Sequence, residues 1–400
     1  MPVRAPASVA ALYRALAPVR ARLASRDDQI VRTQITLAQI AAPTGEEGER
    51  AAFVAAQLRA SGLTDVRIDA AGNVIGRRAG SADLDPVVVC SHLDTVFPRD
   101  VRLEIRRDGT RLVGPGINDN GRGLAVMLAL AAELGSGAAP SLRPIDFVAT
   151  TGEEGIGDLR GAKHYFADAG RDAAAMLALD GAGDERIVHR ALGSRRFRIE
   201  FRGPGGHSWA SWGMPNAVHA AACCAAALAR LPLPAHPRTT LTVGRIGGGL
   251  SVNAIPALAW LEVDLRSTSA AHLDQSEREL YHAARAACRE ENDRRDPSTP
   301  PLVHEVIGIG TRPCGETAAD HPLVLAAIEA TRLVGRWPDL ATASTDANVP
   351  ISQGIPAIAI GAGGRGGDAH TMHEWYDNTD GSLGVARALT ILVAAAGAMV

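Results

Sequence analysis

The chain has 400 residues, enough for two domains, with 46% hydrophobic and 21% charged residues, the proportions of an ordinary water-soluble globular protein. Its formal net charge is -3 and its positive charge is almost all Arg, Lys163 being the single Lys, so nothing points to nucleic acid or a membrane surface as a partner. No apolar run reaches the length of a membrane span, and the five Cys (Cys90, Cys223, Cys224, Cys288 and Cys314) show no C-x-x-C spacing, which implies reduced thiols and a cytoplasmic protein.

The first 26 residues hold Arg4, Arg14, Arg20, Arg22 and Arg26 and no acid. Pro and Arg interrupt any signal-like apolar core, so this stretch is read as a surface helix of the folded domain. Residues 34–40 and 49–61 read as helices around Pro43-Thr44-Gly45-Glu46-Glu47, where Thr44 and Glu47 have the spacing of a capping box. Residues 66–69 and 74–77 read as a hairpin about Gly72-Asn73. The apolar runs 86–90, 145–150 and 176–179 read as strands buried on both faces, and 123–134 as an Ala- and Leu-rich helix between two of them. That alternation predicts an α/β layer with a mostly parallel sheet.

The pattern changes after residue 190. Residues 196–202 alternate polar and apolar, as an antiparallel strand with one wet face does. A helix at 216–231, strands at 239–246 and 257–266, and a long helix at 270–291 complete a small α+β unit of ferredoxin-like order. A helix at 322–334, a strand at 357–360 and a helix at 382–395 return to the first texture. The expected organisation is therefore an α/β domain of residues 1–190 and 312–400, with residues 191–311 inserted as an α+β domain.

Five segments near the ends of apolar runs carry chemistry: Ser91-His92-Leu93-Asp94-Thr95, Asn118-Asp119-Asn120, Thr151-Gly152-Glu153-Glu154-Gly155, Leu179-Asp180-Gly181 and Ala369-His370-Thr371-Met372-His373-Glu374. Taken singly, Asp119 is read as well as a turn residue, Asp180 as a helix cap and His370 as a surface His. Together they supply the nitrogen and carboxylate ligands that zinc takes. Two adjacent ions need a bridging ligand, and a carboxylate can bridge where a His cannot. In open α/β sheets such sites form at the carboxyl ends of strands, where all five are expected to fall. Adjacent Glu153 and Glu154 repel unless a cation holds one, leaving the other to move a proton. Asp94, two residues past His92, suits a group that orients that His. Gly155-Ile156-Gly157 followed by Gly161 has the wrong spacing for a dinucleotide fingerprint, and no G-x-S-x-G elbow is present.

With Pro43-Thr44-Gly45-Glu46-Glu47, Gly72-Asn73-Val74, Gly205-Gly206-His207-Ser208 and Asn253-Ala254-Ile255-Pro256 in the same order, the chain resembles the co-catalytic metallopeptidase family of peptidase T, carboxypeptidase G, acetylornithine deacetylase, succinyl-diaminopimelate desuccinylase and the aminoacylases. The similarity runs from about Leu37 to the C-terminus. It implies a zinc-peptidase catalytic domain with an inserted lid and dimerisation domain, and two divalent metal ions, zinc first with cobalt or manganese as alternatives. His92 and Asp180 would bind one ion, Glu154 and His370 the other, and Asp119 both, with a cis bond after it. Glu153 would be the general base and acid, with Asp94 supporting His92. His207 resembles the His that reaches a dimer mate's active site, and Asn253 and Arg266 resemble substrate contacts. Two points depart from the pattern: Asp119-Asn120-Gly121 stands where many members have Asp-Asp-Lys or Asp-Met-Lys, and His373 offers a second choice beside His370. The His-x-x-His-Glu arrangement is closest to the tripeptidase branch. The implied activity is exopeptidase cleavage of small peptides by metal-activated water, of the tripeptidase or carboxypeptidase type, in a homodimer. The alternatives are an N-acyl or N-carbamoyl amino acid amidohydrolase and, from another class, a non-catalytic binding protein on the same scaffold.

Overall fold

A computed structural model describes residues 8–139 and 141–397. The chain forms two compact units, one running up to Ala191 and resuming at Glu316, the other Leu192–Gly315.

The first unit is built on one twisted sheet. Its strands lie in the order Thr64–Ile68, Val74–Arg78, Ile145–Thr150, Val87–His92, Ala175–Leu179, Ala357–Ile360 and Arg186–Ala191, and Asp339–Ala343 pairs with Arg186–Ala191. The middle four are mutually parallel, and every residue in them is buried. Val74–Arg78 and Arg186–Ala191 flank them antiparallel. The inner strands are continuous apolar runs because both faces are covered. Val87 and Val89 turn toward the helices Gly121–Gly135, Pro322–Leu333 and Gly381–Ala395. Val88 and Cys90, one residue out of phase, meet Tyr165, Phe166 and Val349 on the other face.

The N-terminal segment is more than one surface helix. Val9–Ala15, Ala17–Ser25 and Asp27–Gln39 are successive helices, and Leu12, Leu16, Val19, Leu23 and Ile30 from them join the main core. Residues 1–7 of that segment, Arg4 included, lie outside the described residues. The helix Gly48–Ala60 has Glu47 as its N-cap with no side-chain cap bond, so the expected Thr44–Glu47 capping box does not form. No helix among the described residues is long and apolar enough to cross a membrane.

The second unit is a four-stranded antiparallel sheet in the order Thr239–Gly248, Leu258–Ser267, Gly193–Arg202 and Val303–Arg312. Helices Ala217–Ala229 and Ala270–Asp293 pack on it through Ala221, Cys224, Leu280 and Ala284, against Ile199, Phe201, Leu261 and Val263. Strand, helix, strand, strand, helix, strand is the ferredoxin-like order. The fold is thus the expected one: a mostly parallel α/β unit with an α+β unit set into its sequence.

Candidate active site

His92 is the last residue of Val87–His92 and is buried. Its Nδ1 lies 3.1 Å from the Asp94 carbonyl oxygen. A carbonyl can only accept, so Nδ1 carries the proton and Nε2 is the ligand-ready nitrogen. Nε2 points at Asp119 Oδ1, 3.0 Å away, and at Asp180 Oδ1, 3.7 Å away. Asp180 directly follows Ala175–Leu179.

Asp94 supports His92 mainly through that carbonyl. Its carboxylate, with Oδ1 3.6 Å from His92 Nδ1, also has other partners: Oδ1 accepts the Glu153 amide at 2.9 Å, and Oδ2 accepts the Glu154 amide at 2.9 Å and the Thr44 hydroxyl at 2.8 Å. This pins the two glutamates where they leave Ile145–Thr150. Thr44 and Glu47 serve the same loop and not a helix cap, since Glu47 Oε1 accepts the Gly45 amide at 2.9 Å and the Gly152 amide at 3.0 Å. Glu153 and Glu154 are both buried.

Asp119 is not at the end of a parallel strand, contrary to the expectation for all five segments. It lies between the short outer strand Arg111–Val113 and the helix Gly121–Gly135, and the peptide bond after it is cis. Asn120, the residue that departs from the family pattern, caps that helix at the Gly123 amide with its Oδ1. The same oxygen accepts the Gly181 amide at 3.1 Å, and Asn120 Nδ2 donates to the Leu179 carbonyl at 2.9 Å, so one amide side chain ties the Asp119 and Asp180 loops together.

His370 lies ten residues past Ile360, beyond the strand Arg365–Gly367, with a left-handed backbone (φ 66°). Its Nε2 is 3.1 Å from Asp119 Oδ2 and 2.8 Å from Glu154 Oε1. His373 is exposed and belongs to none of the metal-capable groups among the described residues. Those groups are His92–Asp119–Asp180, Asp119–Glu154–His370 and His92–Glu153–Glu154, each with its donor atoms within 4.8 Å of one another. The first two share Asp119.

The electrostatics follow from this crowding. Hydrogen bonds to Asp119 and Glu154 push the His370 imidazole up to about 10. Burial works against a charged His92, yet Asp119, Asp180 and Asp94 hold it well above its ordinary value. Burial likewise opposes charge on Asp119, and His370 and His92 hold it below the usual carboxylate range. The raised imidazoles show protons standing where the acid cluster calls for positive charge; as metal ligands both His would be neutral, leaving Asp119, Glu153, Glu154 and Asp180 as four acids in one small volume. Such a cluster calls for positive charge beside it, and two divalent ions would supply the matching amount. The mixed nitrogen and carboxylate donors suit zinc, and cobalt or manganese less selectively. The residues present fit the metals that the resemblance implies.

Two buried acids beside this cluster were not singled out from the sequence. Asp346, pushed up to about 6 by burial, accepts the Thr150 hydroxyl at 2.5 Å. Glu374, pushed up to about 7 by burial, accepts three backbone amides of the Asp119 loop. Glu374 stood inside the His-x-x-His-Glu segment, and only its burial distinguishes it from a solvated acid.

His207, Asn253 and Arg266 belong to the second unit. His207 pairs with Ala254 in a two-residue ladder, and the Ser208 amide donates to the Asn253 carbonyl at 3.0 Å, so His207 and Asn253 are neighbours. Arg266, in Leu258–Ser267, donates from Nε to Asp264 Oδ2 at 2.6 Å and is already paired.

Comparison with known proteins bears on this arrangement. Residues 73–199 match the peptidase family M28, and residues 191–292 match a peptidase dimerisation domain. A "Probable carboxypeptidase" of Aspergillus clavatus is 30% identical over 256 residues, 58% of this chain, and the chain spans 56% of that relative's length. The succinyl-diaminopimelate desuccinylase of Corynebacterium glutamicum is 26% identical over 344 residues, covering 84% of this chain and 88% of that protein. Among solved structures, a tripeptidase from Staphylococcus aureus superposes with a TM-score of 0.75 at 22% identity, over 92% of this chain and 98% of that one, which shows a shared fold. A peptidase match that includes the sheet carrying His92, Glu153, Glu154 and Asp180, followed by a peptidase dimerisation match, agrees with the resemblance to the co-catalytic metallopeptidases of the peptidase T and succinyl-diaminopimelate desuccinylase kind.

Proposed function

We propose that this protein is a two-metal exopeptidase that hydrolyses the amide bond of small peptides. One observation carries the reading: the two oxygens of Asp119 face two different imidazoles, His92 at 3.0 Å and His370 at 3.1 Å. A carboxylate so placed suits a ligand shared by two ions. His92 and Asp180 would hold one ion and Glu154 and His370 the other, with zinc the first choice. Bound there, the ions supply Lewis acidity, which polarises an amide carbonyl and makes water easier to deprotonate.

The remaining roles fall to the chain's own side chains. A Glu153 carboxylate oxygen takes the proton of the attacking water and returns it to the leaving amine nitrogen. Asp94, through its bonds to the Glu153 and Glu154 amides, keeps that carboxylate beside the ligands. In a homodimer joined through the dimerisation domain, His207 of each copy serves the partner's site by donating to the carbonyl oxygen as it gains charge. Asn253 and Arg266 contact the substrate. Arg266 would have to share its guanidinium with Asp264 to grip a carboxylate. All five Cys are free, which supports a reducing, cytoplasmic setting.

A second reading is an N-acyl or N-carbamoyl amino acid amidohydrolase with the same metal site. The likeness to a desuccinylase over 84% of the chain favours it. A panel separates the two: protein loaded with zinc, cobalt or manganese is offered free-amine di- and tripeptides, then N-acyl and N-carbamoyl amino acids. Removal of single residues from free-amine peptides is the expected result. Cleavage of acylated amino acids alone selects the second reading, and metal uptake with no hydrolysis of either class overturns both.

A further inference from the structure

Glu374 has no place in the chemistry above, yet its side chain is fully buried. A buried carboxylate is costly unless its oxygens are met by donors. Here the donors are all backbone. Oε1 accepts the Asn118 amide at 2.8 Å and the Asp119 amide at 2.7 Å, and Oε2 accepts the Gly116 amide at 3.1 Å. The Glu374 carbonyl also accepts the Gly114 amide at 2.8 Å. Gly116 has φ 70°, a left-handed conformation that lets the chain fold around one acceptor. The shortest of these bonds is made by the amide of Asp119, whose carboxylate faces both His92 and His370.

Glu374 is also four residues from His370 on the same segment. The ladder of Trp375–Asp377 with Arg111–Val113 joins that segment to the stretch leading to Asp119 as far as Val113, and the Glu374 carboxylate extends the join to Asp119 itself, whose carboxylate must meet His370, 251 residues away in sequence, within hydrogen-bond distance. Because all its donors are amides, the clamp is indifferent to the side chains of residues 114–119. We infer that Glu374 is the positioning residue of Asp119, fixing the shared carboxylate in register with both imidazoles. This rests on the proposed reading of Asp119 as a ligand to both ions.

Gln in place of Glu keeps size and shape but has one acceptor oxygen, so its NH2 group faces either the Gly116 amide or the Asn118 and Asp119 amides, and the negative charge is lost. Asp keeps the acceptor and withdraws it by one methylene. Zinc and cobalt(II) are titrated calorimetrically into the metal-free full chain, wild type, E374Q and E374D, with the cobalt absorption spectrum and the melting temperature of the metal-free form recorded alongside. E374Q is expected to bind metal about 10- to 100-fold more weakly, the usual loss when a partner behind a ligand is removed. Its cobalt spectrum should shift, and E374D should recover part of the affinity. A folded E374Q with wild-type affinity and spectrum overturns the inference. So does a lower melting temperature with unchanged affinity, which would make Glu374 structural only. If neither variant folds, hydrogen exchange over residues 114–119 of the metal-free wild type decides: protected amides support the clamp, and rapid exchange overturns it. A wild type that takes up no metal overturns the reading of Asp119 itself, an outcome distinct from all of these.

Discussion

The cluster works by direction as much as by composition. The spacing His-x-x-His leaves open which imidazole faces the acids. Both His are exposed, but His370, with a left-handed backbone, has its ring on Asp119 and Glu154, while His373 belongs to none of the metal-capable groups among the described residues. Glu153 and Glu154 are adjacent in the loop after Ile145–Thr150; Glu154 Oε1 lies 2.8 Å from His370 Nε2, which leaves Glu153 to serve the water. That division predicts the outcome of Glu153→Gln. kcat should fall by about 10²- to 10⁴-fold, the typical worth of general acid–base catalysis, while metal content and melting temperature stay at wild-type values. Steady-state kinetics with elemental analysis reads both. Near-normal turnover would remove Glu153 from the chemistry, and lost metal would make it a ligand instead.

At the level of elements, the inner strands were readable because burial on both faces leaves an unbroken apolar run, as in Val87–His92 and Ala175–Leu179. His92 and Asp180 stood out because they end such runs. Asp119 does not: it follows a separate four-stranded sheet of short strands, Arg365–Gly367, Trp375–Asp377, Arg111–Val113 and Arg106–Asp108, and the mostly exposed, charged residues of the last two carry no strand pattern. Thr44 and Glu47 had capping-box spacing, but their partners are Asp94 and the Gly152 amide, contacts that only the tertiary fold creates. Glu374 and Asp346 were missed for the same reason, because burial of a single acid leaves no periodic mark. The helix Gly121–Gly135 shows how tightly the element beneath the site is set. A Cβ on Gly123 would lie 2.1 Å from Asn120 Oδ1, 2.4 Å from the Leu179 carbonyl and 2.6 Å from Ser91 Oγ. Gly123→Ala should therefore lower stability by about 1–3 kcal/mol, as overpacking does, and weaken metal binding by parting the Asp119 and Asp180 loops. Thermal melts and a zinc titration read the two effects. A variant as stable and as tight as wild type would show that the loops are not held through this contact.

The whole molecule joins two fold types in one chain. The change from apolar runs to alternating strands after residue 190 announced a second fold type, and the structure divides the chain into two units with the α+β one set into the sequence of the other. Family models of a peptidase and of a peptidase dimerisation domain match residues 73–199 and 191–292. The claim beneath everything else is that the acid and His cluster holds two ions through one shared carboxylate. The measurement that tests it most directly is the metal-to-protein ratio of the purified chain and its Asp119→Ala variant, each reconstituted with zinc and analysed for elemental content. The account predicts two ions per wild-type chain and at most one, weakly held, in the variant. Fewer than one ion in the wild type, not restored by cobalt or manganese, or two firmly bound ions in Asp119→Ala, would contradict it.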